Sequence, residues 1–426
     1  LEHALNDSRA RALLLEEQFI PIYQAIAPNI GWKLTVIAAG TDSAPFQNFD
    51  SFVAGQLPEL APEPMSPDDM AFWIYTSGTT GTPKAAVHLQ HDVLSAGPHL
   101  AYLDTRPGDR YFSISRLFFA YALGNCLFGS LRLCGTTILH PAWPDVESAA
   151  RVIAETRPDF VFSVPTMYRN ILRSGRAEEP GFKSARAYVS AGERLPAALA
   201  ETWRRATGVR IYEGMGTSET IYMILTNSPD AYRPGASGRV APGAEVKLID
   251  EDEKPISEPN RPGVLWVRMD SRCDRYWNQR ENSNRAFFGP WFRTGDMYSF
   301  DEDGFYYQHG RADEMLKISG QWVSPMEIEE CAMALPLVAD AALIGLPNDD
   351  GLVRLSLFLV ARGAGDPEHI AAEVREMLVK TLSVYKCPRD IRFVERLPRT
   401  ATGKLQRYIL RQQIIAAPGG ARRTCS

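Results

Sequence analysis

The feature that most restricts the fold is a rhythm of short apolar runs separated by stretches with helical spacing. Residues 146–156 carry apolar side chains at helical spacing, 160–164 and 187–190 read as buried strands, and 199–207 is helical again. A strand with no polar face must be covered on both sides, and helices between strands force crossover connections, so the rhythm predicts a mostly parallel α/β sheet. Pro196 stands where a helix starts, which leaves the turn Ala191-Gly192-Glu193 at the C-terminal edge of a strand, where such sheets bind ligands.

Elsewhere the same reading gives a helix over 13–26 and a strand over 33–39. A strand at 71–75 is followed by a turn at 76–82 rich in Gly, Thr and Ser, and by a second strand at 85–87. After residue 231 the strands shorten, as at 245–249 and 264–268, which predicts a smaller β subdomain. From about residue 313 come a helix (325–334), two strands (338–345, 354–361), a helix (370–382) and a strand (391–394), enough for a small α+β domain. The expected division is therefore a large domain over 1–312 and a small one over 313–426.

A chain of 426 residues is too long for one ordinary core, so two domains are also what its length predicts. Hydrophobic residues at 45% and charged residues at 23% are the balance of a soluble globular protein. A formal net charge of −5 gives no general attraction for nucleic acid. No run of about 18 apolar residues suggests a membrane span. No basic segment leads into an apolar one at the start, although Leu1 opens in mid-pattern and a missing N-terminal portion of the large domain is expected. The six cysteines lack the close spacing of zinc or disulfide frameworks, which suits a reduced cytoplasmic setting.

The strongest local signal is Tyr75-Thr76-Ser77-Gly78-Thr79-Thr80-Gly81-Thr82-Pro83-Lys84. A loop so rich in glycine and hydroxyls can turn backbone N–H groups and side-chain donors onto phosphate oxygens, with the lysine adding charge. It is not a Walker loop, because the glycine spacing differs and Ala85 follows Lys84. A Gly/Thr run by itself is more often a surface loop. Its place after a buried strand, and the motifs that follow it, favour phosphate binding.

Those motifs are Gly214-Met215-Gly216-Thr217-Ser218-Glu219, Thr294-Gly295-Asp296, Gly310-Arg311-Ala312-Asp313 and Thr402-Gly403-Lys404. Together with the loop, and in this order, they resemble the adenylate-forming superfamily of acyl-CoA and aryl-CoA synthetases, carrier-protein adenylation domains and luciferases. The resemblance covers nearly the whole chain. It implies a reaction in which a carboxylate attacks the α-phosphate of ATP, pyrophosphate leaves, and a thiol takes the acyl group from AMP. Bringing two anions together requires positive charge. The resemblance assigns it to Mg2+, held with help from Glu219, and to Lys404, with Ser218 supplying a hydroxyl where threonine is commoner.

Further site residues follow from the same resemblance. Thr76, Ser77, Gly78, Thr79, Thr80, Gly81 and Lys84 would hold the phosphates. Ala191, Gly192 and Glu193, with Glu213, Gly214, Met215, Gly216 and Thr217, would surround the adenosine; Met215 replaces a tyrosine common in relatives. Asp296 would accept from the ribose hydroxyls, supported by Arg311. Asp313 falls at the hinge of a mobile C-terminal domain, and Ser319, Gly320 and Gln321 follow it along the channel for coenzyme A.

The acid pocket in relatives is lined by the segment 117–125, which here contains no acidic residue to pair with an α-amine. The segment resembles that of benzoate-CoA and 2-aminobenzoate-CoA ligases, which implies a flat slot formed by Phe119, Ala120, Tyr121, Ala191, Gly216, Tyr222 and Met223. Benzoate-specific relatives generally have histidine where Tyr222 stands, so 2-aminobenzoate is a candidate beside benzoate. The expected partners are ATP, an aromatic acid and coenzyme A, with neither nucleic acid nor membrane, in a monomer or homodimer. The alternatives are an adenylating enzyme that loads a carrier-protein thiol, and a non-catalytic binding protein of the same fold. Retention of Glu219, Asp296, Arg311 and Lys404 together argues against the last.

Overall fold

The computed structural model describes residues 1–41, 45–76, 83–95, 97–318, 321–347, 353–363, 365–399 and 405–416. The chain forms two compact units. One contains Leu1–Lys247, Trp266–Thr294 and Gly304–Tyr306; the other contains Leu248–Leu265, Gly295–Asp303 and Tyr307–Ser426.

The core of the first unit is a seven-stranded sheet in the order Arg239–Val240, Met223–Thr226, Ile211–Gly216, Ala187–Ser190, Phe160–Ser163, Arg110–Ser113, Thr136–Ile138. The last five strands are parallel and the first two antiparallel. Alternation along the parallel strands sends Phe112, Val161, Tyr188 and Ile211 to one face, against Ile153, Tyr168 and Trp203 of the helices Val146–Thr156, Pro165–Arg173 and Ala197–Thr207. Tyr111, Phe160, Phe162, Val189 and Tyr212 face the other way, toward Leu100, Cys126 and Met223. Both faces are dry, as the apolar runs require.

Trp203 is completely buried, with the rings of Tyr168 and Tyr188 edge-on at 4.9 and 4.7 Å between centroids. The helix Val146–Thr156 begins at Asp145, whose carboxylate accepts from the Ser148 N–H at 2.7 Å. It ends at Arg157 in the left-handed conformation.

The sequence reading differs from the structure at 13–26. Ala12–Glu16 is a strand that pairs in parallel with Thr35–Ala39, and only Ile20–Ile26 is α-helical, with Pro21 in its first turn. Proline sits well at a helix start and poorly inside one, so the apolar spacing spans two elements rather than one helix.

A separate antiparallel sheet, Arg275–Tyr276, Lys84–Leu89, Met70–Thr76, holds the strands on either side of the glycine-rich loop, with Thr76 opposite Lys84. The β-rich stretch expected after residue 231 contains Ala244–Ile249, Gly263–Met269 and Trp291–Phe300, three strands that each carry residues of both units.

In the second unit, Val338–Pro347 pairs antiparallel with Val353–Ala361, which pairs in parallel with Asp390–Phe393. The helices Pro325–Met333 and Pro367–Thr381 cover it through Ile328, Ala332, Ile370 and Val374. The helix Arg407–Ala416, absent from the sequence reading, adds Leu410 to an apolar cluster with Phe358 and Leu397.

Candidate active site

Several of the expected site residues lie along the C-terminal ends of the parallel strands of the first unit. Ala191 is buried directly after the Ala187–Ser190 strand, and Gly192 takes a left-handed φ of +87° that suits glycine. Glu193 follows, its carboxylate accepting from the Thr166 hydroxyl at 3.2 Å. Glu213, Gly214, Met215 and Gly216 form most of the neighbouring strand, and the Glu213 carboxylate is buried and accepts from Ser237 at 3.4 Å.

The ladder slips between Met215 and Gly216, where the pairing with Met223–Thr226 shifts register. A side chain at Gly216 would meet the Tyr222 carbonyl at 2.6 Å, so only glycine lets the two segments approach.

Between those strands runs a tight turn carrying Thr217, Ser218 and Glu219. Its successive carbonyls are each held: Ser218 faces His88 Nε2 at 2.8 Å, Glu219 accepts from the Cys273 N–H at 2.7 Å, and Thr220 accepts from the Ser271 hydroxyl at 2.7 Å. Ile221 has φ +55°, an uncommon conformation for a β-branched residue. The Glu219 side chain is oriented separately, accepting from the Tyr276 hydroxyl at 2.7 Å. The Lys84 ammonium stands 5.1 Å from the centre of the same tyrosine ring. Tyr276 thus touches both the last residue of the phosphate-loop motif and the candidate metal ligand.

The pocket residues occupy neighbouring positions. Ala120 and Tyr121 open a helix that continues as a π-helix over Leu123–Gly129, a distortion frequent at functional sites. Phe119 caps it and is half-buried. Tyr121 donates its hydroxyl to the Val189 carbonyl at 2.8 Å. Tyr222 and Met223 are buried, and the Tyr222 hydroxyl donates to the Val93 carbonyl at 3.3 Å. Burial raises the Tyr222 phenol far above its ordinary pKa, and the Asp92 carboxylate pushes the same way, so it remains a neutral donor. Gly124 lies where any side chain would collide with the Ile221 carbonyl, which brings the π-helix onto the strained turn.

In the second unit, Arg311 Nη1 lies 3.5 Å from Asp296 Oδ1, and Arg311 Nε lies 3.5 Å from Asp313 Oδ1. Gly295 has φ +77°, and a side chain there would meet Arg311 Nη2 at 2.6 Å. The pair is therefore built around that glycine. Gln321 is an exposed residue at the start of the Gln321–Val323 strand. Ser77, Gly78, Thr79, Thr80, Gly81, Ser319, Gly320 and Lys404 lie outside the described residues.

The sequence reading passed over His88, Asp92 and Tyr276. Two polar residues four apart at the end of an apolar strand, in Val87-His88-Leu89-Gln90-His91-Asp92, are the signal that could have found the first two. Tyr276 offers no such signal, because its partner Glu219 is 57 positions away.

Comparison with known proteins accounts for this combination of strands, turn and carboxylates. Residues 1–277 match the model of the AMP-binding enzyme family, and 327–404 match the AMP-binding enzyme C-terminal domain. The chain belongs to the AMP-binding enzyme family. It is 44% identical to a 3-hydroxybenzoate–CoA ligase of Aromatoleum sp. (strain CIB), over 98% of this chain and 80% of that protein. It is 35% identical to a benzoate–CoA ligase of Thauera aromatica, over 96% of this chain and 78% of that protein. The structure of an anthranilate CoA ligase in complex with anthranoyl-AMP superposes with a TM-score of 0.86 at 32% identity, covering 97% of this chain and 80% of that one.

The protein is accordingly an AMP-forming acid–thiol ligase that uses ATP and CoA. For such an AMP-binding enzyme the first unit offers a carboxylate fixed by a phenol beside Lys84, and the second unit offers by itself a carboxylate paired with an arginine. Among the described residues no group of three or more His, Cys, Asp and Glu is arranged to hold a metal. A single carboxylate such as Glu219 still suits Mg2+, which is commonly bound by one or two carboxylates together with substrate phosphates. No helix among the described residues is long and apolar enough to cross a membrane.

Proposed function

We propose that the protein joins benzoate-class acids to coenzyme A, and that ring-hydroxylated benzoates stand beside benzoate and 2-aminobenzoate as its first candidate substrates. The observation that carries this reading is Tyr121, whose O–H is committed to the Val189 carbonyl in a segment with no acidic residue. A phenol so committed can only accept from a ring substituent, which suits a hydroxyl or an amine. Similarity to a 3-hydroxybenzoate–CoA ligase supports the hydroxylated acids.

In this reading the acid carboxylate attacks the α-phosphorus of ATP and pyrophosphate departs; the CoA thiolate then attacks the acyl carbon and AMP departs. Glu219, steadied by Tyr276, would supply one oxygen to Mg2+, which offsets phosphate charge when bound. Lys84 would meet the phosphates, Asp296 with Arg311 the ribose, and Lys404 the incoming carboxylate and α-phosphate. Residues 313–426 would act as a small mobile domain turning at Asp313, with Ser319, Gly320 and Gln321 along the CoA channel.

The test is pyrophosphate release from benzoate, 3- and 4-hydroxybenzoate, 2-aminobenzoate, cinnamate and a fatty acid, with and without CoA. CoA-dependent turnover greatest on a benzoate is expected. Preference for a fatty acid would overturn the acid assignment. Adenylate formation that CoA never discharges would favour a carrier-protein thiol.

A further inference from the structure

His88 is the next-to-last residue of the Lys84–Leu89 strand and Asp92 lies on the short helix after it, Gln90–Leu94; both side chains are fully buried. Nδ1 of His88 is 2.7 Å from Oδ2 of Asp92, and Nε2 is 2.8 Å from the Ser218 carbonyl oxygen. Phe72 stacks on the imidazole at 4.9 Å between centroids and 15° between planes, which fixes the ring plane. Asp92 Oδ2 also accepts from the Leu89 N–H at 3.1 Å, and Oδ1 lies 3.0 Å from His91 Nε2.

A backbone carbonyl can only accept. Nε2 of His88 must therefore carry hydrogen, and the Nδ1–Oδ2 contact must hold a further proton between ring and carboxylate. A neutral histidine facing an ionised aspartate cannot satisfy both contacts. Nε2 is thus a donor of fixed direction toward the Ser218 carbonyl. Burying such a pair is poor economy if stability is the only outcome, because well-packed apolar residues of similar volume are commonly as good or better. What the pair supplies that apolar residues cannot is direction at Ser218 O.

That carbonyl belongs to the turn whose next two carbonyls are held by Cys273 and Ser271 and whose fifth residue, Ile221, is in the left-handed region. Backbone held in such a conformation persists only where its surroundings over-determine it. Beyond that strained residue comes Tyr222, whose hydroxyl returns to Val93 on the Asp92 helix. One short helix therefore meets the turn at both ends, through His88 at Ser218 and through Val93 at Tyr222.

We infer that His88 and Asp92 are positioning residues that hold the turn from Thr217 to Tyr222, and with it Glu219 and the Tyr222 wall of the acid pocket, in the conformation used for adenylation. The inference rests on the proposed function for its consequence in turnover and on hydrogen-bond geometry for its physical content.

The test uses two substitutions that each keep one end of the ring. The amide nitrogen of Gln reaches roughly where Nε2 stands, and that of Asn where Nδ1 stands. His88→Gln keeps a donor for Ser218, whereas His88→Asn keeps only the partner of Asp92. With melting temperature measured alongside, His88→Asn is expected to lower kcat for acyl-adenylate formation by about 100-fold. It should leave KM for ATP within about threefold, and His88→Gln should recover most of the loss. Equal loss in both variants, or loss that follows melting temperature alone, overturns the role.

A second measurement does not depend on turnover or on the variants folding. In wild type labelled with 15N-histidine, the His88 ring, assigned by its contacts with Phe72, should show Nε2 carrying hydrogen. An unprotonated Nε2 overturns the inference outright. Wild type that forms no aroyl-adenylate, with Nε2 protonated, would instead sink the proposed function and leave the clamp standing.

Discussion

At the scale of single residues, two tyrosines place the same functional group in different service. Tyr276 directs its hydroxyl to the Glu219 carboxylate, so Tyr276→Phe keeps the ring beside Lys84 and Phe287 and removes that hydrogen bond. Outer groups that orient a metal ligand commonly matter by about 10- to 100-fold in metal affinity or activity. Titrating Mg2+ in the pyrophosphate assay should show that drop with an unchanged melting profile. An unaltered Mg2+ response would detach Glu219 from the metal. Tyr222 directs its hydroxyl to Val93, and toward a substrate it can only accept. Tyr222→Phe should therefore lower kcat/KM for 2-aminobenzoate relative to benzoate by roughly two- to tenfold, the worth of one neutral hydrogen bond. A constant ratio with both activities intact would make Tyr222 a packing residue.

At the scale of elements, legibility followed the range of the forces involved. The helix Val146–Thr156 and the strand Ala187–Ser190 were readable to the residue because capping by Asp145 and unbroken apolar runs are local. The π-helix Leu123–Gly129 was not, since what fixes it is the approach of Gly124 to the Ile221 carbonyl, about a hundred positions away. The helix Arg407–Ala416 was missed for a similar reason. Its spacing is unremarkable, and it is anchored by Arg407, whose Nη1 is 2.7 Å from Glu314 and whose Nη2 is 2.6 Å from Glu329. Arg407→Met should strand two carboxylates and cost about 3–5 kcal/mol, read by urea denaturation. The loss should depend on pH. Burial already raises the Glu314 carboxyl against the opposing pull of Arg407, so its protonated form is the one the folded state accommodates more easily. An acid with a raised folded pKa adds stability below its unfolded value and loses it as pH rises through the folded value. Without Arg407 that rise is larger, so the deficit should shrink on going from pH 8 to pH 5. A deficit independent of pH would show that packing, not charge, is what Arg407 supplies.

At the scale of the whole molecule, the candidate residues are distributed over both compact units: Lys84, Glu219 and Tyr222 belong to one, and Asp296, Arg311 and Asp313 to the other. A two-step reaction assigned to a mobile second domain should fail in separable ways. Lys404→Ala removes the charge proposed to bridge carboxylate and α-phosphate, so acyl-adenylate formation should fall by about 100- to 1000-fold, while supplied aroyl-adenylate still reacts with CoA. Equal loss in both steps would refute that role. Asp313→Pro asks a different question. Asp313 is exposed and its carboxylate lies 3.5 Å from Arg311, so substitution can act through lost charge or through a fixed φ. Asp313→Ala separates the two, since it removes the carboxylate and leaves the backbone free. If rotation at this residue carries the chain between an adenylating and a thioester-forming pose, alanine should leave both half-reactions within a few-fold and proline should impair one of them selectively, because hinges absorb their φ/ψ change in very few residues. Measured on purified protein, with pyrophosphate release for the first step and CoA consumption from synthetic aroyl-adenylate for the second, matched rates for proline and alanine in both steps would move the hinge away from residue 313.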